Sequence, residues 1–380
     1  SFPRKREPSL FKRFVVALLG WTAPERHQCA KLGRFETKLR RPSMNEIIRI
    51  GVDTSKSIFL VHGVDAAERP VLRKKLRRGD VERFFAALPP TVIGLEACGA
   101  AHHWARVLRG LGHEARLPPP QYVKPYVKRG KNDAADAEAI CEAMSRPGMR
   151  FVPVKAAENQ AALMLHGARD LLIKQRTMLV NAVRGHAAEF GIAGAKGVGR
   201  VAELLERIAA DETVPALARE IFARLAEQTE ALEDQVRALD RQLLAWHRAD
   251  ERSRRLATIP GVGPIGATAL AMKVPDPSVF RSGRHFAAWL GLTPKDHSTA
   301  GRQRLGGITR KGDETLRYLL VSGAMAVIQR AKPGRTSPWL LGLLARKPKK
   351  LAAVALANKT ARIAWALMMH GGIYRRPASV

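Results

Sequence analysis

An α/β domain followed by a mainly helical remainder is the fold this sequence predicts, and three stretches predict it. Over residues 46–150, short runs of Val, Ile and Leu alternate with amphipathic stretches. Residues 156–250 are rich in Ala, Leu, Arg and Glu, which are good helix formers. From Thr258 onward, glycine and proline punctuate further helical stretches. At 380 residues the chain has room for two or three domains. The divisions fall at 1–43, 44–155, 156–255 and 256–380.

In chain order, residues 47–52 read as a strand and 58–64 as a second, across a turn-prone 53–57. Residues 81–88 form an amphipathic helix, 92–95 a buried strand and 100–111 a helix. A short strand at 114–117 ends at Pro118-Pro119-Pro120, and 134–144 is helical. This order implies a mixed sheet whose site lies at strand ends. In the next region Phe222, Leu225, Thr229, Leu232, Val236, Leu239, Leu243 and Trp246 recur in steps of three and four. That is a coiled-coil seam, interrupted by polar Thr229. It serves either a helix packed within the chain or one that self-associates. Farther on, Ile259-Pro260-Gly261-Val262-Gly263-Pro264 followed by an apolar run suggests a helix-hairpin-helix. Its Gly261 and Gly263 would open backbone N–H groups to a DNA phosphate, although a plain capping turn has the same sequence. A helix over 283–290, a basic loop over 294–312 and helices over 314–329 and 351–369 complete the fold. Lys347-Pro348-Lys349-Lys350 reads as a solvated turn.

Charge narrows the function. Lys and Arg number 65 against 34 Asp and Glu, so the net charge is +31 and the partner expected is a polyanion. No apolar run approaches the ~20 residues of a spanning helix, so no membrane partner is expected. Cys29, Cys98 and Cys141 lack the spacing of a zinc site or disulfide framework, which suits a reducing cytoplasm. Residues 1–43 cluster charge (Arg4-Lys5-Arg6, Lys12-Arg13, Arg40-Arg41) around a short apolar 14–19. A disordered basic arm fits them better than a secretory signal, and Met44 would make a natural start.

Four carboxylates carry the chemistry. Asp53 closes the apolar run of the first strand, and Glu96 closes that of Thr91-Val92-Ile93-Gly94-Leu95. Asp133 and Asp136 lie three apart, hence on one helix face. Such acids can surround hard divalent cations, which clamp the two oxygens exchanged at a phosphodiester. Lys128, Arg129 and Lys131 beside them would hold phosphates. Singly, Asp53 could cap a turn and Asp133 a helix. Glu96 is harder to dismiss, because a charge ending an apolar strand needs a partner. In the 294–312 loop, Ser298 lies among Lys295, Arg302, Arg304, Arg310 and Lys311, where it could act as a nucleophile toward phosphorus. Taken alone, it reads equally as an inert loop serine and His297 as a solvated loop histidine.

The segments I-G-V-D-T-S-K, G-L-E-A-C-G, K-N-D-A-A-D-A, I-P-G-V-G-P and G-L-T-P-K-D-H-S-T-A-G-R-Q-R-L-G-G-I-T-R-K-G-D resemble one family closely. It is the DEDD-type insertion-sequence transposases of the insertion sequence 110 and 1111 group, and the likeness runs from Asn45 to the last helix. The resemblance implies a ribonuclease-H-like domain of Holliday-junction-resolvase type, a coiled coil, and a C-terminal transposase domain with a nucleophilic serine. It further implies Mg2+ at Asp53, Glu96, Asp133 and Asp136, with Ser298 as nucleophile. The partners implied are DNA (element ends and target), a noncoding bridge RNA as guide, and further copies of the chain as a dimer or tetramer. Acids of one protomer would then act with the serine of another. The setting implied is a bacterial cytoplasm, at the nucleoid when active. Many relatives carry paired serines or a serine next to glycine where this chain has Thr299 and Ala300, so Thr299 stays a rival.

The alternative enzyme is a resolvase-like endonuclease whose metals activate water while Ser298 is inert. An actin-like ATPase or sugar kinase also places an acid after its first strand, but the glycine-rich phosphate loops it needs are missing here. A non-catalytic nucleic-acid-binding protein would leave the four acids purposeless.

Overall fold

The computed structural model describes residues 47–127, 133–334 and 336–375. Residues 1–43, Met44, Lys128, Arg129 and Lys131 therefore lie outside the described residues, as does the side chain of Asp133.

Strands β1 (Arg49–Thr54), β2 (Ile58–Val64) and β3 (Pro70–Arg77) form an antiparallel meander. Helix α1 (Val81–Ala86) leads into β4 (Val92–Leu95), and α2 (Ala101–Gly110) into β5 (Glu114–Arg116). Both of these strands join in parallel, giving the order β3-β2-β1-β4-β5 with β1 at the centre. Central position explains why Ile50 and Val52 are buried while β3 exposes most of its side chains. Strand β3 was missed in the sequence because P-V-L-R-K-K-L-R is cationic and buries Leu76 alone, as an edge strand does. The first strand also runs to Thr54, so Asp53 lies within it, paired with Leu60, and not in the turn.

Helices α3 (Pro120–Val123) and α4 (Asp133–Met144) complete the first domain. Then α5 (Ala157–Glu189), α6 (Val201–Ala210) and α7 (Ala216–Ala249) form a long hairpin. Arg169 bonds Asp240 at 2.5 Å and Arg176 faces Glu233 at 3.9 Å, so α5 and α7 run antiparallel. The heptad seam is filled from within the chain: Phe222, Leu232, Val236 and Leu243 are buried, the first beside Val180 and Val183 of α5. Thr229, the polar break in the seam, satisfies its hydroxyl on the Leu225 carbonyl at 2.7 Å. Of the two readings the seam allows, packing within the chain is the one this single chain adopts.

The remainder comprises α8 (Glu251–Leu256), α9 (Pro264–Lys273), α10 (Gly283–Trp289), β6 (Pro294–Asp296), β7 (Leu305–Ile308), α11 (Glu314–Gln329), α12 (Pro338–Arg346) and α13 (Lys349–His370). Ala352, Ala353, Ala357, Ala361 and Ala364 form a fully buried stripe on α13 that lets its neighbours approach closely. The stretch expected as a loop over 294–312 contains the hairpin β6–β7, and α12 was not anticipated. Lys349 and Lys350 lie in the first turn of α13, not in a separate basic turn. Among the described residues, no helix is long and apolar enough to cross a membrane.

Candidate active site

Register assembles the acids. Val52 pairs with Leu95 at the end of the β1–β4 ladder, so Asp53 and Glu96 follow side by side on strands ~4.8 Å apart. Side chains alternate along a strand, which puts Asp53 on the face of Gly51 and Glu96 on the face of Gly94. Helix α4 lies on that face. A Cβ on Gly51 would lie 2.2 Å from the Ala137 carbonyl oxygen and 2.6 Å from the Cys141 nitrogen. A Cβ on Gly94 would lie 2.2 Å from the Met144 sulfur. The two glycines thus bring α4 down onto the sheet, and Asp136, the residue before Ala137, comes with it.

Electrostatics shows the convergence. The Glu96 carboxyl is pushed above its ordinary range, first by burial and then by the negative charges of Asp53 and Asp136. Asp53, Glu96 and Asp136 are all half-buried. Asp133 begins α4 one turn earlier. Among the described residues, no three His, Cys, Asp or Glu side chains close to metal-ligand geometry. The described acids are near enough to repel one another, and hard oxygen donors crowded in this way suit a divalent cation.

The serine sits on the β6–β7 hairpin. His297 N–H bonds the Arg304 carbonyl at 2.9 Å, and Thr299 bridges Arg302 around a tip formed by Ala300 and Gly301. Both tip residues have positive φ, +47° and +77°, the backbone of a tight primed turn. Ser298 N–H donates to Asp296 Oδ1 at 2.9 Å, its hydroxyl donates to the same carboxylate, and its Oγ accepts the Arg304 N–H at 3.0 Å. These bonds from Ser298 hold the Asp296 carboxyl below its ordinary range, helped by His297. Asp296 was overlooked in the sequence; its signal there is the Asp-x-Ser spacing of an Asx-turn. The partners of Ser298 lie within the hairpin and are none of the four acids.

The cations around it are exposed. Lys295, Arg302, Arg304, Arg310 and Lys311 all face solvent, and among the described residues none of them makes an ion pair. The hairpin is anchored at its foot, where the backbones of Gly291 and Gly312 press against Lys311 and Trp289. The two glycines of the expected phosphate turn differ. Gly261, at φ +86°, packs its backbone against Gly323 of α11, a structural demand. Gly263 is exposed as the N-cap of α9.

Comparison with known proteins agrees in both halves. Residues 253–338 match the family described as "Transposase IS116/IS110/IS902 family", and residues 50–191 match a transposase family of the DEDD, IS110 type. A protein of Sinorhizobium fredii named as a transposase is 62% identical over 339 residues, 88% of each chain. The transposase for insertion sequence element IS1328 of Yersinia enterocolitica is 38% identical over 335 residues, 88% of this chain and all of the other. That for insertion sequence element IS1111A of Coxiella burnetii is 38% identical over 346 residues, 89% of this chain and 94% of the other. This chain belongs to the IS116/IS110/IS902 family of transposases, enzymes that cleave and rejoin DNA.

Proposed function

We propose that this transposase excises and inserts an insertion sequence with Ser298 as nucleophile and Asp53, Glu96, Asp133 and Asp136 as the holders of Mg2+. A noncoding bridge RNA guides it, and it works as a homo-oligomer. The observation that carries the reading is the crowding of Glu96 by Asp53 and Asp136 at neighbouring strand ends. A sheet of three antiparallel and two parallel strands, with acids at the end of its central pair, supports a ribonuclease-H-like domain. When bound, the divalent cation supplies charge stabilisation at the scissile phosphate.

The chain's own residues do the rest. Asp296 already accepts the Ser298 hydroxyl proton and the Arg304 N–H occupies one Oγ lone pair, which leaves the other for attack. Its lowered pKa suits orientation better than proton storage. Attack forms a bond from Ser298 Oγ to phosphorus and breaks the bond to one deoxyribose oxygen, which takes up a proton as the serine loses one. The phosphoserine diester keeps the bond energy, so the reverse attack by another strand's hydroxyl rejoins DNA without a separate energy source. Arg302 and Arg304 offset charge on the attacked phosphate.

The test uses Asp53→Asn and Glu96→Gln in the full chain with guide and element-end DNA. The parent should cleave strands in Mg2+ and gain melting temperature on adding it, and both variants should lose the two effects. Cleavage and metal stabilisation retained by both variants would end the metal assignment.

A further inference from the structure

Where the sheet domain meets the C-terminal helices, a cleft of about 390 Å3 opens, lined by residues outside both the acid cluster and the serine hairpin tip. Tyr122 of α3 with Arg150 and Phe151, which follow α4, line one side. Lys273 at the end of α9, Trp289 at the end of α10 and Lys311 at the hairpin foot line the other.

The cleft combines aromatic platforms with uncompensated cations. The Trp289 indole is stacked on Phe286, centroids 5.8 Å apart and planes 18° apart, which fixes it while leaving it half-buried. Tyr122 is 47% exposed, a large share for an aromatic beside a cavity. Among the described residues Arg150 pairs with no acid: its Nη1 lies 2.9 and 3.0 Å from the two ring nitrogens of His285. Burial and the charges of Arg150 and Arg281 hold His285 below its ordinary pKa, so the ring is a neutral neighbour and leaves the guanidinium charge standing. Lys273 is neutralised by Asp313 at 2.9 Å, whereas Lys311 makes no ion pair among the described residues. Asp276, also at the rim, is engaged with the N–H and hydroxyl of Ser278.

This chemistry selects a ligand. A volume of this size lies at the small end of ligand pockets and excludes a duplex. Rings on which a base can stack, beside cations that meet a phosphate, are how single strands are held without sequence readout. We infer that the cleft holds one unstacked nucleotide of a single strand, its base against Trp289 and Tyr122 and its phosphate toward Arg150 and Lys311. One side follows the helix carrying Asp133 and Asp136, and the other is the foot of the hairpin carrying Ser298. A nucleotide gripped there registers the strand against both. The inference rests on the family's action on DNA, not on the identity of the nucleophile.

The experiment is done in full-length Ser298→Ala protein, so that binding is read apart from cleavage. Fluorescence anisotropy compares a labelled oligodeoxythymidine, an oligouridine of the same length, and a duplex. Trp289→Ala with Tyr122→Ala should weaken single-strand binding about tenfold, within the ~1–3 kcal/mol typical of one stacked base, and leave duplex binding unchanged. The larger loss on thymidine or on uridine assigns the nucleotide to DNA or to RNA. Lys311→Gln, at an exposed side chain that leaves the fold alone, should shrink the salt dependence of single-strand affinity by about 0.7 in log–log slope. Equal losses on single strand and duplex, or an unchanged single-strand affinity together with an unchanged Lys311→Gln slope, would overturn the inference.

Discussion

Gly51 and Gly94 face each other in register across β1 and β4, and together they seat helix α4 on the sheet. Two residues farther along the chain from each stand Asp53, within β1, and Glu96, just past β4, so the contact that packs the helix also sets the height of Asp136 above the acids. Gly51→Ala should be the harsher change, because its Cβ would meet backbone atoms of Ala137 and Cys141. We expect a loss of about 1–3 kcal/mol in denaturant unfolding, as for other overpacked sites, and little strand cleavage. Gly94→Ala meets the end of the flexible Met144 side chain and should cost less on both counts. A Gly51→Ala protein with parental stability and activity would contradict this seating.

Acid should destabilise the fold through two buried histidines. His102 accepts the Lys155 N–H at 3.3 Å, and His166 lies 3.0 Å from the Thr268 hydroxyl. Burial drives both from 6.5 to about 4, with Lys155 and Arg106 adding to the effect at His102. At His166, Asp170 opposes part of the shift. Their folded pKa values are depressed, so the unfolded chain takes up protons first as pH falls. The stability is therefore whole above 6.5 and is lost as pH drops toward about 4. Urea midpoints across that window should fall in the parent and fall less in His102→Gln/His166→Gln. Parallel curves for the two proteins would remove the histidines from the explanation.

Much of this was legible in the sequence because the period of the pattern matched the element. Asp53 and Glu96 end runs whose burial requires strands, and the stretch that begins at Asp133 and contains Asp136 reads as the helix it forms. What was not legible depended on partners distant in the chain. Cationic β3 follows no alternation strong enough to read, because only Leu76 turns inward. The heptad pattern specified a seam but could not specify whether α5 or a second copy fills it. Gly51 and Gly94 carry no local signal of their role, because the α4 residues that rest on them lie far along the chain. Asp296 was passed over beside the more conspicuous Ser298 and His297.

The helical hairpin should behave as part of the fold and not as a dissociable interface. Leu243 is fully buried, so Leu243→Ala should cost about 2–5 kcal/mol in unfolding at any protein concentration. A melting temperature that depended on concentration in the parent and lost that dependence in the variant would restore the seam to self-association.

Ala300 holds φ +47° at the hairpin tip, where L residues are strained by roughly 1–2 kcal/mol. Ala300→Gly should relieve part of that strain and slow amide exchange of Thr299 and Arg302, which bond across the turn. Faster exchange at both amides would show that the tip is not held as described. Asp296→Ala, by contrast, should leave DNA affinity intact and slow cleavage by freeing the Ser298 hydroxyl from its acceptor. Unchanged single-turnover cleavage in Asp296→Ala would reduce Asp296 to a turn residue.

The assignment of Ser298 as nucleophile has one direct measurement. The parent, loaded with guide and element-end DNA in Mg2+, is denatured, digested and searched by mass spectrometry for a peptide of residues 295–302 joined to a nucleotide. The account predicts a phosphodiester on Ser298, present in the parent and in Thr299→Ala, and missing from Ser298→Ala. An adduct on Thr299, or efficient cleavage by Ser298→Ala with no adduct at all, would contradict it.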